Sequence, residues 1–183
     1  TVSPTSTTTY TVTGSNGGCS GTASVQVTVN PNPNFTATGE TICSGLSGTI
    51  SASGANSYNW DSPLGSGQSK TVNPTTSTTY NVTGTDNNGC TGTASARITV
   101  NSLPTVTASG QTICAGETGS VSSSGASTYT WDNGLGAGQS RTATPSETTT
   151  YTVTGTDGNG CTGTATTRII VNPIPAVVLD PQH

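Results

Sequence analysis

The clearest pattern along the chain is a strict alternation of apolar and small polar side chains. Tyr151, Val153 and Gly155 point to one side of an extended strand, and the threonines between them point to the other. After residues 157–160 the alternation resumes, and one face of this second run carries Ala165, Thr167, Ile169 and Val171. Because an Asp-Gly-Asn-Gly turn separates the two runs, the pattern predicts a hairpin of antiparallel strands.

A large part of the sequence occurs twice. Residues Cys43, Trp60, Tyr80, Cys90 and Pro104 recur 71 positions later as Cys114, Trp131, Tyr151, Cys161 and Pro175. Such a period predicts tandem domains. The predicted organisation is a C-terminal part of a truncated repeat (1–33), two complete repeats (34–104 and 105–175) and the start of a further repeat (176–183). Proline-containing phrases at each boundary predict short, stiff linkers and repeats that lie end to end.

The aromatic residues of each repeat indicate the fold. A Tyr-x-Trp strand in mid-repeat, followed by a tyrosine that opens the penultimate strand, resembles the immunoglobulin plan. In that plan the hydroxyl groups of Tyr80 and Tyr151 would bond back to the backbone at a corner. The predicted class is therefore all-β, with tandem immunoglobulin-like sandwiches of about 71 residues. The predicted core and structural aromatics are Trp60, Trp131, Tyr80, Tyr151 and Tyr10.

Composition supports strands and narrows the choice of partners. Only 28% of the residues are hydrophobic and 7% are charged, and no window has apolar residues at helical spacing. A disordered stalk would have a similar composition, but it would not need aromatic residues at fixed, alternating positions. The permanent cations, Lys70, Arg97, Arg141 and Arg168, are too scattered for a nucleic-acid partner. No apolar run is as long as a membrane span.

The five cysteines predict disulfides in an oxidising compartment, because they have no Cys-x-x-Cys spacing and no neighbouring histidine. Two schemes of pairing are open. Bridges within each repeat would join Cys43 to Cys90 and Cys114 to Cys161, whereas a bridge between repeats would join Cys43 to Cys161. The immunoglobulin strand order separates the two cysteines of one repeat, which counts against the first scheme. Either scheme leaves Cys19 with a partner outside the chain.

The remaining polar residues do not form a recognisable catalytic or metal-binding set. No histidine lies inside a complete repeat, since His183 is in the tail, and the carboxylates lack acid–base spacing. We therefore predict no enzyme, no cofactor and no metal. The Asp and Asn residues of the NGC turns are attributed to turn chemistry rather than to calcium. Rows of outward threonines indicate a soluble strand face, with glycan or ice binding as the alternative.

Several phrases together resemble a known family. The phrases ICSG and ICAG, the Tyr-x-Trp strand, TTTY, the NGC turn and the Asn-Pro-x-Pro linker extend over essentially the whole chain. They resemble the tandem immunoglobulin-like or PKD-like repeats of large secreted cell-surface proteins of adhesin type in gliding, type IX-secreting Bacteroidota. The resemblance implies an extracellular stalk at the bacterial cell surface that presents other domains and is exported through a separate C-terminal signal domain.

The expected role is accordingly a structural spacer in a long surface protein, with filament formation as a related expectation. A glycan- or surface-binding module is the alternative. The expected partners are neighbouring repeats of the same protein, together with self-association or surface glycans.

Overall fold

The computed structural model describes residues 1–176, and in that range it consists of strands and turns without any helix. The all-β prediction is confirmed. Most of the predicted further repeat, 176–183, lies outside the described residues. None of the described residues forms a helix long and apolar enough to cross a membrane.

The strands follow each other closely along the chain. A hairpin, β1 (Thr8–Asn16) and β2 (Cys19–Val27), comes first. The next eight strands are β3 (Thr36–Thr38), β4 (Thr41–Cys43), β5 (Gly48–Ser53), β6 (Ser57–Trp60), β7 (Gly65–Ser66), β8 (Ser69–Val72), β9 (Thr78–Thr85) and β10 (Thr91–Asn101). The last eight are β11 (Thr107–Gly110), β12 (Thr112–Cys114), β13 (Gly119–Ser124), β14 (Thr128–Trp131), β15 (Gly136–Ala137), β16 (Ser140–Ala143), β17 (Thr149–Thr156) and β18 (Thr162–Asn172).

The chain divides into two compact units. The first contains Thr1–Ile42 and Ser47–Thr99, and the second contains Cys43–Leu46 and the chain from Val100 onward. The short segment Cys43–Leu46 thus belongs to the second unit although it lies within the predicted repeat 34–104. The predicted repeat boundaries remain predictions.

The last eight strands form two sheets. One sheet has the order β12-β18-β17-β14-β15 and the other has the order β11-β13-β16. All the pairings are antiparallel except that of β12 with β18, which is parallel. The first two strands of this group therefore lie in different sheets, with β11 at the edge of the three-stranded sheet and β12 at the edge of the five-stranded sheet. The strands β3–β10 repeat this order in a five-stranded and a three-stranded sheet. This is an immunoglobulin-like sandwich, and the predicted all-β, immunoglobulin-like class is confirmed, while the repeat length of about 71 residues stays a prediction.

Alternation along the strands puts one face of each sheet into the core. In β17 the side chains of Tyr151, Val153 and Gly155 are buried, while the threonines between them are partly exposed. The core of the second unit contains Ile113, Val121, Tyr129, Trp131, Tyr151, Val153 and Ile169. Each fully buried large side chain contributes roughly 1.5–3 kcal/mol to folding. A small set of large residues therefore stabilises a domain that is rich in threonine and serine.

The proline-containing segments pack against the sandwiches as well as connecting them. A methyl group added to Gly163 would overlap the carbonyl oxygen of Pro104, and one added to Gly92 would lie 2.6 Å from the carbonyl oxygen of Pro33. Only glycine permits this close approach of linker and strand. The entry of the chain into each sandwich is fixed by this contact.

The first hairpin exposes an apolar face that corresponding strands bury. Val12 is 67% exposed in β1, whereas Val82 in β9 is 1% exposed. The register of the hairpin is regular from Thr8↔Val27 to Asn16↔Cys19. The hairpin is therefore well formed but is not part of a sandwich within the described residues.

Candidate functional site

The most specific chemical feature of the structure is a disulfide between Cys43 and Cys161. The two Cα atoms are 5.6 Å apart, which is within the usual range for bridged cysteines, and the residues are 118 positions apart in sequence. Of the two schemes of pairing left open by the sequence, this is the one that joins the predicted repeats 34–104 and 105–175. Both cysteines belong to the second compact unit, because Cys43–Leu46 clusters there.

Cys161 is held by the turn between β17 and β18. Asp157 Oδ1 accepts hydrogen bonds from the backbone N–H groups of Asn159 (2.9 Å) and Cys161 (2.8 Å). The N–H of Asp157 donates to the carbonyl of Cys161 at 2.9 Å, and Gly160 has a φ of 80°. Glycine accommodates this left-handed conformation without strain. The turn thus fixes the backbone of Cys161, whose side chain is 1% exposed.

Cys43 is held by the end of a strand and a second tight turn. It is the last residue of β4, and the N–H of Ser44 donates to the carbonyl of Asn101 at 2.8 Å. The N–H of Leu46 donates back to the carbonyl of Cys43 at 3.0 Å, and Gly45 between them has a φ of 87°. Both halves of the bridge are therefore fixed by backbone hydrogen bonds.

The bridges proposed within each repeat are not formed. In the parallel pair of β12 and β18, Cys114 lies opposite Asn172, while Cys161 immediately precedes β18. The eleven residue-to-residue steps from Cys161 to Asn172 span about 36 Å of strand, far beyond the roughly 7 Å that a disulfide permits between Cα atoms. Cys90 and Cys114 are instead free thiols, as is the exposed Cys19.

The predicted aromatic residues lie in different environments. Trp60 and Trp131 are buried in the core at 1% and 3% exposure, and their indole N–H groups donate to the carbonyls of Gly67 and Gly138 at 2.9 and 3.0 Å. Tyr151 is also buried. By contrast, Tyr80 and Tyr10 are only half-buried.

The prediction of a corner tyrosine at Tyr80 and Tyr151 was wrong, because the hydroxyl-to-backbone bonds are made by Tyr58 and Tyr129. The hydroxyl of Tyr129 accepts from the N–H of Ala126 at 2.8 Å and donates to its carbonyl at 2.7 Å. Tyr58 does the same with Ala55 at 2.8 and 3.0 Å. The missed signal is local, since each tyrosine follows its alanine partner by three residues in a Gly-Ala-x-x-Tyr phrase.

Six carboxylates in residues 1–176 accept hydrogen bonds from the backbone or from a side-chain amide. Glu40 accepts from the N–H of Thr49 at 2.8 Å, and Glu117 accepts from the N–H of Cys114 at 3.0 Å. Within residues 1–176, no three His, Cys, Asp or Glu side chains lie close enough together to hold a metal ion. The acidic residues therefore act as turn and strand-end acceptors.

Paired hydroxyl groups line the three-stranded sheets. Thr38 and Ser51 are hydrogen-bonded across β3 and β5 at 3.0 Å, and Ser109 and Ser122 are hydrogen-bonded across β11 and β13 at 2.8 Å. These hydroxyl groups satisfy each other at the surface, which is the kind of cross-strand pair that stabilises a sheet.

A shallow groove of about 590 Å³ lies beside Tyr80 in the first unit. Its lining includes Asp61, Pro63, Leu64 and Asn73. The loop that forms one wall differs between the repeats, because Gly134 occupies the position that corresponds to Pro63. This groove combines a half-buried aromatic ring with polar groups.

Comparisons with known proteins relate the chain to solved structures only. No protein-family model matches the sequence, and no curated protein matches it. The chain is similar to a calcium-stabilised adhesin that helps an Antarctic bacterium reach out and bind ice, with 15% identity and a TM-score of 0.45 over 93% of this chain and 58% of that one. This chain therefore spans less than two thirds of that structure.

Two further structures are similar at the same level. One is a 1.5-MDa bacterial ice-binding adhesin studied for host cell surface retention, with 16% identity and a TM-score of 0.40 over 91% of this chain and 74% of that one. The other is the insect immune protein hemolin, with 16% identity and a TM-score of 0.41 over 90% of this chain and 56% of that one.

Proposed function

We propose that the chain is a spacer segment of a long extracellular surface protein of adhesin type. The observation that carries the proposal is the bond between Cys43 and Cys161, which belong to consecutive predicted repeats. A disulfide of this kind connects consecutive predicted repeats a second time, besides the peptide linker. Such a second connection is useful where length has to be maintained. The disulfide also favours an oxidising environment outside the cytoplasm, since disulfides persist there.

The distribution of side chains supports a structural role. Trp60, Trp131 and Tyr151 fill the cores, most of the described carboxylates accept backbone N–H groups, and hydroxyl groups on the three-stranded sheets pair with each other. We therefore propose that the segment is not an enzyme and that its immediate partners are neighbouring repeats. The sequence resemblance supports the bacterial cell-surface location and type IX export, and the low charge and exposed threonine faces support filament formation.

Small-angle scattering of the oxidised chain tests the spacer proposal. A spacer has to hold its two ends apart, so we expect a radius of gyration well above the roughly 16 Å of a compact globule of this length. A value near 16 Å would contradict the proposal. The same measurement under reducing conditions gives the contribution of the disulfide.

A second function, glycan binding, is favoured by the groove beside Tyr80. A half-buried aromatic ring next to Asp61 and Asn73 offers a stacking face and hydrogen-bonding groups, the usual combination in small-ligand sites. A glycan-array screen of the chain and of its Tyr80→Ala variant tests this alternative. If the chain binds a glycan and the Tyr80→Ala variant does not, the segment is a binding module. The spacer proposal expects that the chain binds no glycan on the array.

A further inference from the structure

The bridge between Cys43 and Cys161 consists of two structural halves, and each half occurs a second time in the chain. We call the strand end with its following turn the strand half, and the Asp-x-Asn-Gly-Cys turn the turn half. Cys43 belongs to a strand half and Cys161 to a turn half. The second strand half contains Cys114, and the second turn half contains Cys90.

The strand half at Cys114 has the same backbone geometry as the one at Cys43. The N–H of Ala115 donates to the carbonyl of Asn172 at 2.9 Å, as that of Ser44 does to Asn101. The N–H of Glu117 returns to the carbonyl of Cys114 at 3.1 Å, and Gly116 has a φ of 87°, the value found at Gly45. Cys114 is therefore held like Cys43, but its thiol is free and exposed.

The turn half at Cys90 likewise matches the one at Cys161. Asp86 Oδ1 accepts from the N–H groups of Asn88 (2.8 Å) and Cys90 (2.9 Å), and Gly89 has a φ of 80°. The thiol of Cys90 is free and half-exposed, with a weak contact of 3.8 Å to the carbonyl oxygen of Asn30. A bonded turn half and a free turn half thus have one backbone structure.

The bonded pair shows what these free thiols are shaped to hold. An exposed cysteine by itself indicates nothing, but Cys43 and Cys161 carry a disulfide at the corresponding positions of the same chain. The backbone that presents each thiol is the same in the bonded and the free copy. A free strand-half cysteine is therefore shaped to bond a turn-half cysteine, and a free turn-half cysteine is shaped to bond a strand-half cysteine.

We propose that Cys114 and Cys90 are covalent junction sites for further repeats of this type. Cys114 bonds the turn-half cysteine of another Asp-x-Asn-Gly-Cys repeat, and Cys90 bonds a strand-half cysteine. The same class of bond would then recur from repeat to repeat, with 118 residues between partners as in the observed bridge. The proposal deepens the spacer function and rests on it for the presence of further repeats.

The bond forms by thiol–disulfide exchange with a disulfide oxidant, such as oxidised glutathione or a dithiol–disulfide oxidoreductase. The thiolate of one cysteine attacks a sulfur of the oxidant, and a mixed disulfide forms as one thiolate leaves. The thiolate of the second cysteine then attacks the protein sulfur and displaces the other half of the oxidant. Two protein thiols lose two protons and two electrons, and one disulfide oxidant is reduced to two thiols.

Cleavage with trypsin makes this proposal easy to test. The four cationic residues place Cys90 in peptide 71–97, Cys114 in 98–141 and Cys161 in 142–168. The first sample is a lengthened chain in which a second copy of residues 105–175 follows residue 175. A Thr164→Ser change in the added copy marks its 142–168 peptide by mass. After oxidation with oxidised and reduced glutathione, free thiols are alkylated and the peptides are mapped without reduction.

We expect peptide 98–141 to be linked to the marked peptide, with alkylation of Cys114 falling from complete to almost none. The linked peptides that carry Cys43 and Cys161 serve as the folding reference in the same sample. A Cys114→Ser variant of the lengthened chain should leave the marked peptide unlinked to 98–141 and keep the reference link.

The partner repeat could come from the same chain or from a second copy of the chain. Oxidising the 183-residue chain over a range of concentrations distinguishes these two sources. Dimers and larger species that depend on both Cys114 and Cys90 would support the proposal with a second copy as the source. The proposal is overturned if Cys114 is alkylated in both samples while the Cys43–Cys161 link is present, or if Cys114 bonds Cys90 inside a monomer. It is equally overturned if the reference link never forms. None of these results depends on the radius of gyration. The scattering measurement therefore tests the spacer proposal independently of the junction sites.

Discussion

The disulfide between Cys43 and Cys161 should contribute more to stability than any single side chain in the cores. To remove it without leaving a lone thiol, both cysteines are replaced in a Cys43→Ala, Cys161→Ala variant. The matched control is Cys90→Ala, Cys114→Ala, which changes the other cysteine of each predicted repeat, whose thiol is free. The two variants have the same composition, and only the first opens a covalent loop, although it also truncates Cys161, which is more buried than either control cysteine.

The magnitude follows from the length of that loop. A constraint on 118 residues in the unfolded chain corresponds to about 5 kcal/mol at 25 °C. If only the second unit unfolds, the loop that becomes flexible runs from Val100 to Cys161, about 60 residues, and the estimate is about 4 kcal/mol. Because the cost depends on the logarithm of length, the choice of unfolding unit changes the estimate little.

Guanidinium unfolding under oxidising conditions, followed by tryptophan fluorescence, measures the effect. Each sandwich carries one buried tryptophan, Trp60 or Trp131, so both units report on their own unfolding. We expect the bridge variant to lose about 4–5 kcal/mol relative to the unchanged chain. The control variant should lose less than about 1 kcal/mol, because Cys114 is exposed and Cys90 is half-exposed. A reductant should bring the unchanged chain close to the bridge variant.

Two results would refute this reasoning. If the bridge variant and the control variant are destabilised equally, the loss comes from the cysteine side chains and not from the loop. If the reductant leaves the unchanged chain as stable as before, the bridge does not constrain the unfolded state.

Three further predictions concern the turns and strands. Tyr129→Phe should cost about 1–3 kcal/mol of unfolding free energy because it leaves the polar backbone groups of Ala126 without their partner. Tyr151→Phe should cost clearly less, because the Tyr151 hydroxyl has no hydrogen-bond partner in the described chain. Equal losses would contradict the assignment of the tyrosine corner to Tyr129. Gly163→Ala should lower the thermal midpoint, since its methyl group overlaps the Pro104 carbonyl, while Gly158→Ala in the same hairpin faces open space and should be neutral. Calcium should leave the midpoint unchanged in a thermal melt, because Oδ1 of the turn carboxylate, Asp157, already accepts two backbone N–H groups; a clear rise would assign a calcium site to this turn.

The sandwich could be predicted because its evidence is periodic. Alternation in 151–156 and 162–172 assigns each side chain to a face, and the structure buries Tyr151, Val153 and Ile169 accordingly. The tyrosine corner could not be assigned correctly in this way. Its position depends on where the backbone of the preceding turn presents an N–H and a carbonyl together, as at Ala126 for Tyr129, and alternation contains no information on that.

The pairing of the cysteines is also beyond what the sequence can decide. The decisive contact is the parallel pairing of a three-residue strand, Thr112–Cys114, with the end of Thr162–Asn172. Such a short strand gives no detectable period, and its partner is nearly 60 residues away in sequence. Once this pairing is known, the separation of Cys114 from Cys161 excludes a bond within the repeat.

The same bridge also determines how the chain would carry tension. A pull applied upstream of Cys43 and downstream of Cys161 passes through the two sulfur atoms, because the covalent bond is the shortest connection between the ends. The intervening residues, which would otherwise extend by roughly 400 Å when fully drawn out, stay outside the load path. Even with both sandwiches unfolded by force, the bridged chain would lengthen only by the segments before Cys43 and after Cys161. Breaking the hydrogen bonds of the sandwiches would therefore leave most of the contour length of the chain unextended.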